Sequence, residues 1–290
     1  MDIRPRRSVL YMPGANQRAL EKARTLPADA LVLDLEDSVA PSAKAAARDL
    51  VCATLREQAY GRREVVVRIN GLDTPWGADD LAAACKAKPD AILVPKILGA
   101  GDVLDIAARM RAISAADVGL WLMIETPRAV LDIGAIAAAA RAQAPQLGAF
   151  IIGANDLAKE TRAKLAPGRA ALLPWLMQIV LGARAYGIDV IDAVYNDHAD
   201  LAGFRVECEQ GRDLGMDGKT LIHPGQIAPC NEAFSPSPDE IAWAQNVAAA
   251  FAQPQNADLG VISLDGKMVE RLHLAMAQRV LALAQARAVK

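Results

Sequence analysis

One alternation runs through the chain eight times: a short apolar run, stopped by Gly, Pro or a charged residue, then a longer stretch with helical spacing. The apolar runs fall at residues 8–12, 30–35, 64–69, 91–94, 120–124, 150–152, 188–193 and 218–222. Near-continuous apolar runs are the signature of strands buried on both faces. Parallel strands need crossovers of a dozen residues or more, usually helical. The helical patterns lie at 16–26, 42–58, 79–87, 100–114, 129–142, 172–186 and 199–214, with Ser42 placed to cap the second. Eight βα units of about 25 to 30 residues predict a (β/α)8 barrel. The alternative is an open doubly wound sheet, which usually carries a Gly-rich phosphate turn after its first strand. PGAN at 13–16 is not such a turn, and the chain has no Walker A motif.

Composition agrees with a sheet under helices. Of the 290 residues, 53% are hydrophobic but only 4% aromatic, so Ala, Val, Leu and Ile must build the core. A net charge of −2 argues against a nucleic-acid footprint. No apolar run approaches the roughly 18 residues that a membrane span needs. The N-terminal apolar stretch is too short for a signal peptide, so the cytoplasm is the expected compartment. Cys52, Cys85, Cys208 and Cys230 have no metal-site spacing and read as reduced, buried residues. Residues 1–230 are expected to form the barrel. Residues 231–290 form an extension that barrel closure does not need: a helix at 239–252, an extended piece ending in the Asp265-Gly266 turn, and a last amphipathic helix at 267–287.

In such a barrel the C-terminal strand ends build the active site. Those ends carry Asp34, Glu36 and Asp37, then Arg68, Lys96, Glu125, Asp156, Asp192, Lys219 and His223. Burying so much charge is costly unless the groups pair or bind a ligand. Glu125 and Asp156 end adjacent strands with no Cys or His beside them, which suits a hard divalent cation, Mg²⁺ first and Mn²⁺ as the alternative. The bland reading makes each a helix cap. Arg68 has the planar guanidinium that suits a carboxylate or an enolate oxygen, against a plain pairing with Glu36 or Asp37. The carboxylates at 34, 36 and 37 alternate along the strand, so only one or two of them face the site. Lys96, Lys219 and His223 are open between structure and function, and a Schiff-base role for either lysine is less simple than a metal.

Eight ordered motifs sharpen this reading: RSVLYMPG at 7–14, LDLEDSV at 33–39, VRIN at 67–70, VPK at 94–96, IETP at 124–127, GANDLA at 153–158, GKTLIHPGQI at 218–227 and LDGKMV at 264–269. Together they resemble the citrate lyase β-subunit-like branch of the HpcH/HpaI aldolase superfamily, which includes malyl-CoA and citramalyl-CoA lyases. The resemblance implies a barrel lyase with Mg²⁺ on Glu125 and Asp156. It also implies Arg68 beside the substrate; Asp37 is expected as a further catalytic residue, and Ala154 and Asn155 join Arg68, Glu125 and Asp156 as expected substrate-binding residues. The substrate would be a CoA thioester, with a keto acid and an acyl-CoA as products. It further implies a homotrimer or homohexamer in which the C-terminal segment of one subunit closes its neighbour's site and brings Asp265 as acid/base. A citryl-thioester lyase subunit working on a carrier protein, and a thioesterase, belong to the same family. Arg18 and Lys22, with Lys44, are the basic residues offered to CoA phosphates. Two departures stand out: Leu98 occupies a position where the family often has Glu, and Glu270-Arg271 replaces a usual Asp-Pro after the last motif.

Overall fold

The computed structural model describes residues 4–115, 117–143, 147–256 and 258–288. Eight parallel strands close into a barrel in chain order: β1 (Ser8–Pro13), β2 (Ala30–Asp34), β3 (Glu64–Arg68), β4 (Ala91–Val94), β5 (Gly119–Ile124), β6 (Leu147–Ile152), β7 (Asp189–Asp192) and β8 (Gly218–Leu221). Closure is made by β1 on β8, with Ser8 opposite Lys219 and Leu10 opposite Leu221. Val9, Ala30, Val32, Val66, Ala91, Leu93, Trp121, Met123, Ala149, Ile151 and Ile191 pack together as one buried cluster filling the barrel. These side chains alternate along each strand, as the period of two requires.

The N-terminal mouth is plugged by Arg6. It pairs with Glu64 at 2.7 Å and Asp189 at 2.8 Å, donates to the Gly148 carbonyl, and stacks over Trp121. Gly148 must be glycine, because a Cβ there would come within 1.9 Å of the Trp121 ring.

The helices follow the predicted pattern with local departures. Ser42 lies inside a 3-10 turn, Pro41–Ala43, and neither that turn nor the helix Lys44–Arg56 has a side-chain cap. The stretch 129–142 is two helices. Pro127–Leu131 is capped by Thr126, whose hydroxyl accepts from the Ala129 amide, and after Asp132 the chain restarts as Ile133–Gln143. Two short helices had no periodic signal long enough to be read: Ala154–Thr161 after β6 and Ile227–Ala233 after β8.

The described residues form two compact units, Arg6–Ala233 and a second one built from Phe234 onward. In the second, Ser237 and Glu240 form a capping box at the head of the helix Pro238–Phe251. The extended piece is one arm of an antiparallel hairpin, β9 (Val261–Leu264) and β10 (Lys267–Glu270). The final helix therefore begins at Arg271 rather than at Lys267. Asp265 and Gly266 form its two-residue turn with φ of 50° and 73°, the pair of positive angles that a type I′ hairpin demands. Ala244, Val247, Phe251, Ile262, Val269 and Ala277 form this unit's own core. No helix among the described residues is long and apolar enough to cross a membrane.

Candidate active site

Strand parity builds the site. On β2, Ala30 and Val32 point into the barrel, so Asp34 does too. On β3 the inward set is Val66 and Arg68. On β5 it is Trp121 and Met123, and Glu125 continues it just beyond the strand. Asp34 and Arg68 are register partners on adjacent strands. Their side chains meet in a two-pronged pair, Nε to Oδ1 at 2.6 Å and Nη2 to Oδ2 at 2.7 Å. The Nη1 of Arg68 lies 2.7 Å from Glu36 and 3.3 Å from Asp37. Arg68 is thus fixed by three carboxylates.

Burial opposes ionisation of Asp34, but Arg68, the Ser38 side chain and the Glu36 amide outweigh it and hold the carboxyl below its usual range. Glu36 goes the other way. Burial, with the charges of Asp37, Glu125 and Asp34 added, pushes it up to about 7 despite Arg68.

The second half of the site comes from β4, β5 and β6. After Val94 the backbone turns left-handed at Lys96, φ 57°, a conformation that costs a non-glycine residue roughly 1 kcal/mol or more. The turn aims the Lys96 amide at Glu125 Oε1, 2.8 Å away. The Lys96 ammonium lies 3.5 Å from the same oxygen and 2.6 Å from Asp156 Oδ2. One cationic centre therefore touches both predicted metal ligands. Glu125 is buried, and burial, reinforced by Asp156, pushes its carboxyl up to about 7 against the pull of Lys96 and Arg68. Gly153 forms the floor: a Cβ there would fall 2.4 Å from Glu125 Cβ and 2.6 Å from its Oε2. Asp156 sits in the first turn of Ala154–Thr161, where the helix dipole favours a negative charge.

The donor set fits a magnesium ion. Two hard oxygens already surround one positive charge, and among the described residues no third His, Cys, Asp or Glu converges with them. The other positions would be left to water and substrate oxygens, as Mg²⁺ prefers.

The other predicted residues separate. Ala154 is buried beside Gly153. Asn155 exchanges two hydrogen bonds with Asn196, at 3.1 and 2.9 Å. Arg18 and Lys22 are exposed one turn apart on the helix Gln17–Ala23. Lys44 is not available to a phosphate. It is buried, donates to the carbonyls of Leu35 and Glu36, and lies over Trp76. Asp192 and Lys219 also leave the cup. Ile191 points inward, so Asp192 points outward, and Lys219 opposite Ser8 does the same. There they join Arg169 and Glu207 in a buried network: Lys219 to Asp192 at 2.9 Å, Lys219 to Glu207 at 2.7 Å, Arg169 to Asp192 at 2.7 Å. His223 caps the Gly225 amide and stacks on His198, ring centres 4.8 Å apart. Arg169 and Glu207 gave no local signal in the sequence. Asp265 is exposed at its hairpin turn in the second unit.

A parallel (β/α)8 barrel whose C-terminal face carries a carboxylate pair suited to a hard cation has the makings of a metal-assisted enzyme. The HpcH/HpaI aldolase/citrate lyase model matches residues 7–224, and the chain belongs to that enzyme family. It is 48% identical over 282 residues to the (3S)-malyl-CoA thioesterase of Cereibacter sphaeroides strain ATCC 17025, covering 97% of this chain and 95% of that protein. It is 37% identical over 288 residues to citrate lyase subunit beta of Escherichia coli K12, covering 97% and 94%. Among solved structures it superposes on CitE from Mycobacterium tuberculosis in complex with magnesium, acetoacetate and coenzyme A, with a TM-score of 0.77 and 28% identity, covering 98% of this chain and 100% of that one.

Proposed function

We propose that this chain is a Mg²⁺-dependent lyase that cleaves, or in reverse forms, a short β-hydroxyacyl-CoA such as malyl-CoA or citramalyl-CoA, with an α-keto acid and an acyl-CoA on the other side. The observation that carries the reading is the Glu125–Asp156 pair sharing one cationic centre in the same cup as the immobilised Arg68. Magnesium held by these two carboxylates, or Mn²⁺ in its place, would polarise the hydroxyl and carboxylate oxygens of the substrate.

The chain's own residues do the rest. Arg68, locked by Asp34, Glu36 and Asp37, presents a fixed positive charge to the oxygen that becomes negative as the C–C bond breaks. Ala154 and Asn155 border the keto-acid end. The substrate hydroxyl loses its proton to water as its oxygen becomes the keto-acid carbonyl, and the electron pair of the C–C bond goes to the thioester fragment as an enolate, which must be protonated on carbon. Asp265, on the hairpin of a second copy in a homotrimer or hexamer, is the acid for that step and the base in the synthetic direction. Arg18 and Lys22 offer charge to CoA phosphates.

A second reading is thioester hydrolysis at the same site, with Asp265 activating water; the 48% identity to a malyl-CoA thioesterase favours it. The deciding assay offers malyl-CoA and citramalyl-CoA with Mg²⁺ and then with EDTA, following keto acid and free CoA separately. Metal-dependent keto-acid release, lost in Glu125→Ala and Asp265→Ala, supports the lyase. Free CoA without keto acid establishes the thioesterase. No turnover of either free ester removes both and leaves a lyase subunit acting on a carrier-bound thioester, or a barrel that binds a keto acid without turnover.

A further inference from the structure

Tyr11 belongs to the resembling motif at 7–14, yet no role attaches to it there. It stands on β1 two residues beyond Val9, so it points into the barrel and packs on the apolar cluster as its uppermost β1 member. The guanidinium of Arg68 lies 4.8 Å over its ring, a cation–π contact that fixes the ring plane. Its hydroxyl is directed at the Met123 sulfur, 3.9 Å away, a weak acceptor, and this is its only hydrogen-bond partner among the described residues. Asp34, Glu36 and Glu125 surround it electrostatically without accepting from it. Burial, opposed by Arg68, pushes the phenol well above its usual range, so it remains a protonated donor.

Arg68, by contrast, has spent most of its donors. Nε and one Nη2 hydrogen go to Asp34, and Nη1 donates to Asp37 at 3.3 Å and to the Met123 sulfur at 3.8 Å, lying 2.7 Å from Glu36 as an ion pair without a directed hydrogen bond. An enolate oxygen over the barrel mouth needs directed donors, and the guanidinium alone has little left to give. We infer that the Tyr11 hydroxyl is a catalytic hydrogen-bond donor, lying in the Arg68 cup and turning from the Met123 sulfur to the oxygen that gains negative charge. No proton is transferred: the phenol donates a hydrogen bond and keeps its proton. The inference rests on the lyase reading for its reaction, but not for its ligand.

The test is Tyr11→Phe, which keeps the ring beneath Arg68 and removes only the donor. Two quantities are read: kcat and KM on malyl-CoA and citramalyl-CoA, and the calorimetric affinity for carboxymethyl-CoA with Mg²⁺, its carboxylate standing in for the thioester enolate. The expected result is a kcat lower by about 10²-fold with KM little changed, and a carboxymethyl-CoA affinity about tenfold weaker. The melting temperature should stay that of the parent protein. Unchanged kcat and unchanged carboxymethyl-CoA affinity in Tyr11→Phe would overturn the inference, as would a parent protein that binds no carboxymethyl-CoA. A parent that turns over neither ester but binds carboxymethyl-CoA in a Tyr11-dependent way would sink the lyase reading and leave Tyr11 as a donor in the site.

Discussion

Two charged clusters crown the same barrel and have opposite economies. Around β7 and β8, Asp192 and Glu207 face Arg169 and Lys219, two acids against two bases, and every charge touches an opposite one. Around β2 to β6, the acids Asp34, Glu36, Asp37, Glu125 and Asp156 pair, among the described residues, only with Arg68 and Lys96. The centre of the balanced cluster is sealed: Asp192 and Lys219 are both 0% exposed. Its acid is pulled down, with Lys219 and Arg169 overcoming burial. In the surplus cluster two acids are pushed up to about 7. Charge at a strand end is therefore not the mark of a site. Uncompensated charge is, because the fold gains nothing by it until a cation or substrate arrives.

The sharpest break in this comparison is to remove one base from the balanced cluster. Lys219→Met leaves Asp192 and Glu207 buried with one partner fewer, and should cost about 3–5 kcal/mol in urea unfolding at neutral pH. Glu125→Gln is the opposite operation, deleting a surplus charge from the other cluster. It should raise metal-free stability by about 1 kcal/mol while abolishing Mg²⁺ binding and lowering turnover by at least about 10²-fold. If both substitutions destabilise alike, the two clusters are not different in kind.

pH separates them next. Glu36 and Glu125 have native pKa values of about 7 against 4.5 for the free group. Between those values the native state holds more protons than the unfolded one. These two groups therefore make the metal-free protein less stable as pH rises from about 4.5 to about 7, with no further change above. Asp192, depressed from 3.8, contributes stability above that value and loses it only as pH falls through its native pKa. Urea midpoints measured from pH 4.5 to 8 should decline, and the decline should be shallower in Glu125→Gln and in saturating Mg²⁺. A midpoint that climbs across this window in the metal-free parent would contradict the surplus-acid account.

The sequence already contained part of this distinction. The eight runs, the barrel and the pairing of Glu125 with Asp156 follow from periodicity and position. Parity was legible too: Glu125 lies two steps from Met123 and four from Trp121, whereas Asp192 directly follows the inward Ile191. Counting in twos separates the cup from the outer network, and grouping all charged strand ends together hides it. Other features needed three dimensions. Arg169 and Glu207 reach Asp192 and Lys219 from a loop and a helix whose local sequence carries no hint of the contact. Lys44 reads from the sequence as a charge on offer to a CoA phosphate because nothing nearby in sequence reveals the carbonyls of Leu35 and Glu36 that hold it. The helices Ala154–Thr161 and Ile227–Ala233 are too short for a 3.6-residue period to show.

The smallest expected effect is at Lys96, and it completes the comparison because it is the counterpart of Lys219. Both are ammonium groups between two carboxylates, but Lys96 keeps 35% of its side chain exposed and Lys219 none. A half-exposed pair is worth at most about 1 kcal/mol, so Lys96→Met should leave the fold intact. Its ammonium stands where a second cation has to approach, so its loss should tighten Mg²⁺ binding by a few-fold, about threefold in calorimetric titration. The Lys96 amide that orients Glu125 is backbone and survives the substitution, as does Gly153 beneath the carboxylate. Weaker rather than tighter Mg²⁺ binding in Lys96→Met would mean that the ammonium holds Glu125 and Asp156 in position instead of competing for them. The two lysines would then differ in burial alone.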